Sequence, residues 1–192
     1  MFKNLFGKKK QEQHYVTVTL NARLQPTHRG DLEDALGKVL EQCGIGHVSG
    51  GGSLLTDEGE ISECDIEIDA TDVSERAIGH ILGFLEKALA PKGSRLRVDD
   101  RTIPFGHQEG LALYLNGTDL SDEVYQNSDV NVVWSEVEKA LGEEGSIHSY
   151  HQGNKETALY LYGNSFDVMR ALIQPFLDNY PLCQRCRVEQ IA

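Results

Sequence analysis

Ile61-Ser62-Glu63-Cys64-Asp65-Ile66-Glu67-Ile68-Asp69-Ala70 decides the fold. Cys64, Ile66 and Ile68 alternate with Glu63, Asp65, Glu67 and Asp69. A period of two puts the apolar side chains on one face and the carboxylates on the other, which describes a strand buried on one side only. Upstream, Asp57, Glu58 and Gly59 form a turn that joins it to a strand over His47–Leu55. Before that, Leu32, Leu36, Val39 and Leu40 follow Asp31 at helical spacing, and Gly44 ends the run as a C-cap would. Tyr15–Leu24 opens the unit as an alternating strand. Downstream, Ile78, Ile81, Leu82, Leu85 and Leu89 make one apolar helical stripe, which starts near Asp72 and stops before Pro91 and Gly93. Leu96 and Val98, set between Arg95, Arg97 and Asp99, mark a last strand.

The same order returns after Pro104. Leu111, Leu113 and Leu115 mark a strand, and Val133, Val137 and Leu141 a helix that ends near Gly142 or Gly145. Ile147–Gln152 and Thr157–Tyr162 read as a hairpin with Gly153 and Asn154 at its turn. Met169, Leu172, Ile173 and Phe176 mark a second helix, and Cys183–Ile191 a final strand. Leu32, Leu36, Leu40, Gly44 and His47 correspond at one constant offset to Val133, Val137, Leu141, Gly145 and His148. Arg95-Leu96-Arg97-Val98 likewise corresponds to Arg185-Cys186-Arg187-Val188. The expected fold is α+β: two tandem ferredoxin-like β-α-β-β-α-β units, each an antiparallel four-stranded sheet with two helices on one face. The expected boundaries are a basic tail over 1–13, a first unit over 14–106 and a second over 107–192.

Composition narrows the functions. The 192 residues carry a net charge of -12, with Lys3, Lys8, Lys9 and Lys10 all in the first ten positions. A body this acidic repels phosphate backbones, so no nucleic-acid partner is expected, whereas a basic protein would be steered in. No run resembles a secretory signal or a membrane span, and Phe2, Leu5 and Phe6 beside the lysines make at most a marginal surface anchor. The expected compartment is the cytoplasm, with Cys43, Cys64, Cys183 and Cys186 reduced and no metal or other cofactor held.

With helices on one face of each sheet, the other face is left for a partner. In the first unit that face should carry Thr17, Thr19, Asn21, Asp65, Glu67, Arg95 and Arg97. From Asp57 to Glu75 there are nine acidic residues and no Lys or Arg. Asp57, Glu58, Glu60, Glu63, Asp65 and Glu67 are the candidate steering residues for a basic partner. In the second unit the open face should carry Tyr114, Tyr150, Tyr160, Tyr162, His148, Arg185 and Arg187. Tyr and Arg anchor protein interfaces, so Tyr114, Tyr150, Tyr160 and Tyr162 are candidate anchors. The same rings could instead pack on the first unit or on a second copy of the chain, as a homodimer.

No catalytic motif is present. Cys183-Gln184-Arg185-Cys186 has the spacing of half a zinc site or a redox pair, but no second close pair exists, and on a strand residues three apart face opposite sides. Gly50-Gly51-Gly52 lacks the Lys-Ser or Lys-Thr and the helix of a phosphate loop, and reads as a bulged edge strand. His47 and His148 occupy matching positions and could form an acid–base or metal pair, or be retained turn residues.

The acidity, the stretch from Asp57 to Glu75 and the cluster of Tyr114, Tyr160 and Tyr162 together resemble the small acidic immunity proteins that bacteria make against their own toxins. That resemblance implies a cytoplasmic, non-catalytic protein that neutralises a basic toxin domain by one-to-one binding. The other readings are a regulatory module binding a small ligand between paired units, and an enzyme using His47 or His148.

Overall fold

A computed structural model describes residues 12–88 and 90–192. The basic tail expected over 1–13 falls almost wholly outside them, as does Leu89. The elements run β1 (His14–Leu20), α1 (Pro26–Cys43), β2 (Gly46–Leu55), β3 (Ile61–Ala70), α2 (Glu75–Lys87), β4 (Ser94–Val98) and β5 (Arg101–Phe105) in the first unit. The second unit runs β6 (Glu109–Asn116), α3 (Asp122–Asn127), α4 (Val130–Leu141), β7 (Gly145–Gln152), β8 (Glu156–Gly163), α5 (Phe166–Leu177), a 3-10 turn over Pro181–Cys183, and β9 (Arg187–Gln190). The strand orders are β2-β3-β1-β4-β5 and β7-β8-β6-β9, with every neighbouring pair antiparallel. Apart from β5 the two orders are the same, and the protein is two tandem ferredoxin-like units.

Each unit buries one sheet face under its helices. Val16, Val18, Ile66, Ile68 and Leu96 meet Leu36, Leu40, Ile78 and Ile81 of α1 and α2 in the first. Leu111, Leu113, Leu159 and Leu161 meet Val133, Val137, Met169 and Ile173 of α4 and α5 in the second. Gly44 closes α1 at φ 64, the left-handed region where the missing Cβ removes the steric cost.

Four expectations need correction. The first sheet has five strands, because Arg101–Phe105 adds to β4. Pro104 hides this strand in the sequence, yet at a sheet edge it takes no bond from the ladder. Helix α1 starts at Pro26 rather than Asp31, since proline suits a first helical turn. Short α3 has no apolar stripe, so the periodicity that marks the other helices does not predict it. The final strand is only Arg187–Gln190, and Cys183 lies in the 3-10 turn instead.

Candidate functional site

The second unit applies its helix-free face to the first. Ala112, Tyr114, Ala158, Tyr160 and Tyr162 belong to the same buried cluster as Leu20, Ala22, Leu24 and Ile61. Tyr114, Tyr160 and Tyr162 are 4%, 1% and 0% exposed. They cannot meet a foreign partner while the units stay together, so three of the four tyrosines named as anchors are internal packing. The reason is composition: a face of Ala and Tyr is the most apolar helix-free surface in the chain, and burying aromatic area is strongly favourable.

The tyrosine hydroxyls are satisfied by the first unit. Oε1 of Glu60 accepts from the hydroxyls of Tyr114 at 2.7 Å and Tyr160 at 2.5 Å, and from Nη1 of Arg23. Arg23 Nη1 also donates to Tyr114 Oη at 2.8 Å, and its backbone N–H donates to Tyr162 Oη at 2.9 Å. The Arg23 guanidinium lies 5.4 Å from the centre of the Tyr160 ring. Burial alone would raise the Glu60 carboxyl, but the bonds from Tyr160 and Tyr114 and the charge of Arg23 outweigh it and hold it below the usual carboxylate range. Burial, reinforced by the bond to Glu60, pushes Tyr114 up to about 12 and Tyr160 higher still. Glu60, read from the sequence as a rim acid, is therefore the centre of a lock between the units. Arg23 carries no signal in the sequence because it sits in the β1–α1 connection, where no periodicity marks it. Beside it, Gln25 N–H donates to Ser149 Oγ at 3.0 Å and Gln25 Nε2 to the Tyr150 carbonyl at 2.8 Å, which ties the start of α1 to β7.

Tyr150 is misplaced for a different reason. The register of β7 slips between Ile147 and Ser149, so His148 is a bulge and the alternation inverts beyond it. Tyr150 pairs with Leu159 on the helix side, edge-on to Trp134 and 46% exposed. Arg185 is also absent from the sheet face: it lies in a turn and donates to the Asp119 carbonyl. Arg187 does reach the face, stacked 3.4 Å from the Tyr114 ring centre and bonded to Glu156.

The helix-free face of the first sheet has the opposite character. Glu63, Asp65, Glu67 and Asp69 stand in a row on β3, and Arg95 and Arg97 on β4, with Tyr15, Thr17 and Thr19 of β1 between. On β2 the positions opposite Glu67 and Asp65 are Gly50 and Gly52, so bare backbone flanks the acidic row. Thr19 donates to Asp65 at 2.6 Å, and Arg95 takes both oxygens of Glu63, at 3.1 and 2.9 Å. The bonds from Arg95 lower the Glu63 carboxyl. Glu67 is exposed, and Tyr15 and Leu54 of this face are 73% and 61% exposed. Neither Tyr15 nor Leu54 stood out in the sequence as a surface residue. Asp57 and Glu58, at the β2–β3 hairpin, border a cleft of about 570 Å³ whose far wall holds His151, Lys155 and Glu156 of the second unit.

The paired histidines do not form one site. His47 is exposed on the open face, 3.9 Å from Asp69. His148 lies in the seam edge-on to Tyr162, and burial, with a smaller push from His28, lowers its pKa. Among the described residues no group of three or more His, Cys, Asp or Glu is placed to hold a metal, and no helix is long and apolar enough to cross a membrane.

No family model matches the chain, and no curated protein does. Solved structures align along most of it at low similarity. The first two RRM domains of the yeast poly(U)-binding protein match at 8% identity over 92% of this chain and 99% of that one, with a TM-score of 0.24. The regulatory subunit of aspartate kinase from Thermus flavus matches at 13% over 86% and 94%, with a TM-score of 0.28. Likeness at this level says nothing about what the chain binds.

Proposed function

We propose that this is a non-catalytic binding protein that docks a basic protein on the helix-free face of its first sheet. One observation carries the reading. The two units share a topology, yet the face covered in the second unit is uncovered in the first and bears the row Glu63, Asp65, Glu67 and Asp69 beside exposed Tyr15 and Leu54. A sheet face with protruding apolar side chains and one dominant sign of charge suits a partner of opposite sign, with charge setting the encounter rate and apolar contacts the residence time. Asp57 and Glu58 extend the same field at the hairpin. The finer form of the proposal is an immunity protein in the cytoplasm whose partner is a basic toxin domain.

The test places a photo-crosslinking residue at Thr102, on the open face of β5, and identifies what it captures in cells. The captured protein is then purified and its association measured. The reading expects a basic partner whose association slows about tenfold or more on Glu67→Lys with Asp57→Lys, and whose salt dependence flattens. Capture of only a second copy of this chain, or an association rate indifferent to both substitutions, overturns it. The inter-unit cleft favours a second reading, a small-ligand module. That reading gains if a metabolite raises the melting temperature while charge reversal on β3 leaves function intact.

A further inference from the structure

A strand over Cys183–Ile191 would hold Cys183 and Cys186 facing apart. They lie instead at the two ends of a tight turn. Cys183 closes the 3-10 turn over Pro181–Cys183, Gln184 follows at φ -59 and ψ 134, and Arg185 at φ 58. The Cys186 N–H donates to the Cys183 carbonyl at 3.1 Å. These angles and that bond define a type II β-turn with the cysteines at its first and fourth positions. Such a turn brings its end Cα atoms within ~7 Å, and a disulfide needs ~4.4–6.8 Å between Cα atoms. Both cysteines pack on one apolar cluster with Leu182, Tyr180 and Val188, Cys183 buried and Cys186 half-buried.

We propose that Cys183 and Cys186 are a redox modification site, forming a reversible disulfide across this turn by exchange with a low-molecular-weight disulfide such as glutathione disulfide. Cys186, the more exposed, reacts first. Its thiolate attacks one sulfur of glutathione disulfide and expels a glutathione thiolate, leaving a mixed disulfide on Cys186. The Cys183 thiolate then attacks the Cys186 sulfur and expels the second glutathione. The two protons lost by the cysteines are taken up by the two glutathione thiolates, so two protein thiols are oxidised and one glutathione disulfide is reduced. The other cysteines lie in the first unit, outside this turn: Cys64 is buried, and Cys43 is exposed on α1, where exchange with glutathione disulfide leaves a mixed disulfide and no bridge across the turn.

The backbone of the turn supports the assignment, and burial of the thiols sets the rate. Arg185 is one of only two non-glycine residues at positive φ among the described residues, a conformation that costs ~1–2 kcal/mol. Its bond to the Asp119 carbonyl holds it there, and with it the short separation between the cysteines. Burial raises both thiols, Cys183 to about 12 with a further push from Cys186. Few thiolates therefore exist at neutral pH, and the reaction is slow there and quickens in mild alkali. The bridge would fix the turn that leads into β9, whose Arg187 covers Tyr114 at the rim of the seam.

The experiment incubates the native full chain with glutathione redox buffers, quenches in acid with alkylation, and digests with trypsin. Cleavage after Arg185 separates the two cysteines, so the peptide ending at Arg185 and the peptide starting at Cys186 stay joined only through a disulfide. The joined pair is expected in the wild type, reversed by excess reduced glutathione. Its rate of formation should rise about tenfold per pH unit below the thiol pKa values. Cys183→Ser should instead stop at a persistent glutathione adduct on Cys186. A wild-type chain that keeps such an adduct, reacts at neither cysteine, or joins the peptides only in urea refutes the proposal.

Discussion

Replacing Glu60 by Gln tests the lock between the units while preserving shape. Oε1 of Glu60 accepts three bonds, from Tyr114, Tyr160 and Arg23. A hydrogen bond to a charged group is worth ~1.5–3 kcal/mol and one between neutral groups ~1 kcal/mol, so turning the carboxylate into an amide should cost about 1 kcal/mol per bond, or ~3 kcal/mol in all. The side chains of Arg23 and Glu60 keep 20% and 17% of their exposure, so solvent screens the stranded guanidinium and the value stays below that of a fully buried pair. For a chain of this length the melting temperature should fall by roughly 6–12 °C. The loss should also depend on pH. The Glu60 carboxyl is depressed in the folded state, so its contribution is complete above the unfolded carboxyl value of ~4.3 and fades as pH falls through the folded value. Urea unfolding at neutral pH should therefore separate the variant widely from the wild type, and the gap should close in acid. Tyr160→Phe alone should cost about 1.5–3 kcal/mol, and the double variant less than the sum of the singles. A gap below ~0.5 kcal/mol at neutral pH, or one that persists unchanged in strong acid, refutes the lock.

Three further outcomes are expected. Absorbance titration of the folded protein near pH 11 should find Tyr114 and Tyr160 still protonated, their share of stability being intact below the unfolded value of ~10 and lost as pH rises beyond it. Gly163→Ala should cost ~3 kcal/mol in denaturant melts, because a Cβ there would collide with the Glu144 carbonyl and crowd Gly145 and Met169. Glu67→Lys, on an exposed side chain without an ion pair among the described residues, should change stability by no more than ~0.5 kcal/mol in the same melts, so that any loss of partner binding is a loss of contact rather than of fold.

The order of elements was legible because each core face has a clean period. Ile66 and Ile68, or Val133 and Val137, repeat at spacings that only a strand or a helix satisfies. Periodicity has no purchase where the backbone breaks it. The bulge at His148 moved Tyr150 to the far side of its sheet, Pro104 concealed β5, and the turn at Arg185 brought together two cysteines that strand geometry would part. Arg23 was invisible for a related reason: its role depends on where two units meet, and no local pattern encodes that.

The two helix-free faces show how far side-chain chemistry sorts surfaces of equal topology. In the second unit Ala112, Ala158 and three tyrosines offer aromatic area that repays burial, and the first unit supplies one carboxylate, one guanidinium and one backbone N–H to satisfy the hydroxyls. Had Glu60 and Arg23 been apolar, the Tyr114 and Tyr160 hydroxyls would have entered the seam unpaired, at a cost of ~1–3 kcal/mol each. In the first unit Glu63, Asp65, Glu67 and Asp69 make the corresponding face costly to bury against anything that does not bring positive charge. A second copy would bring mainly more carboxylates, set against Arg95 and Arg97, and Arg95 is already taken by Glu63. The same charges that keep the first sheet from packing on the chain itself leave its face suited to positive charge. The acids and the tyrosines, which the sequence presents as two halves of one binding surface, do separate work: the tyrosines close the molecule with Glu60 as their acceptor, and the acids of β3 leave one face of it open.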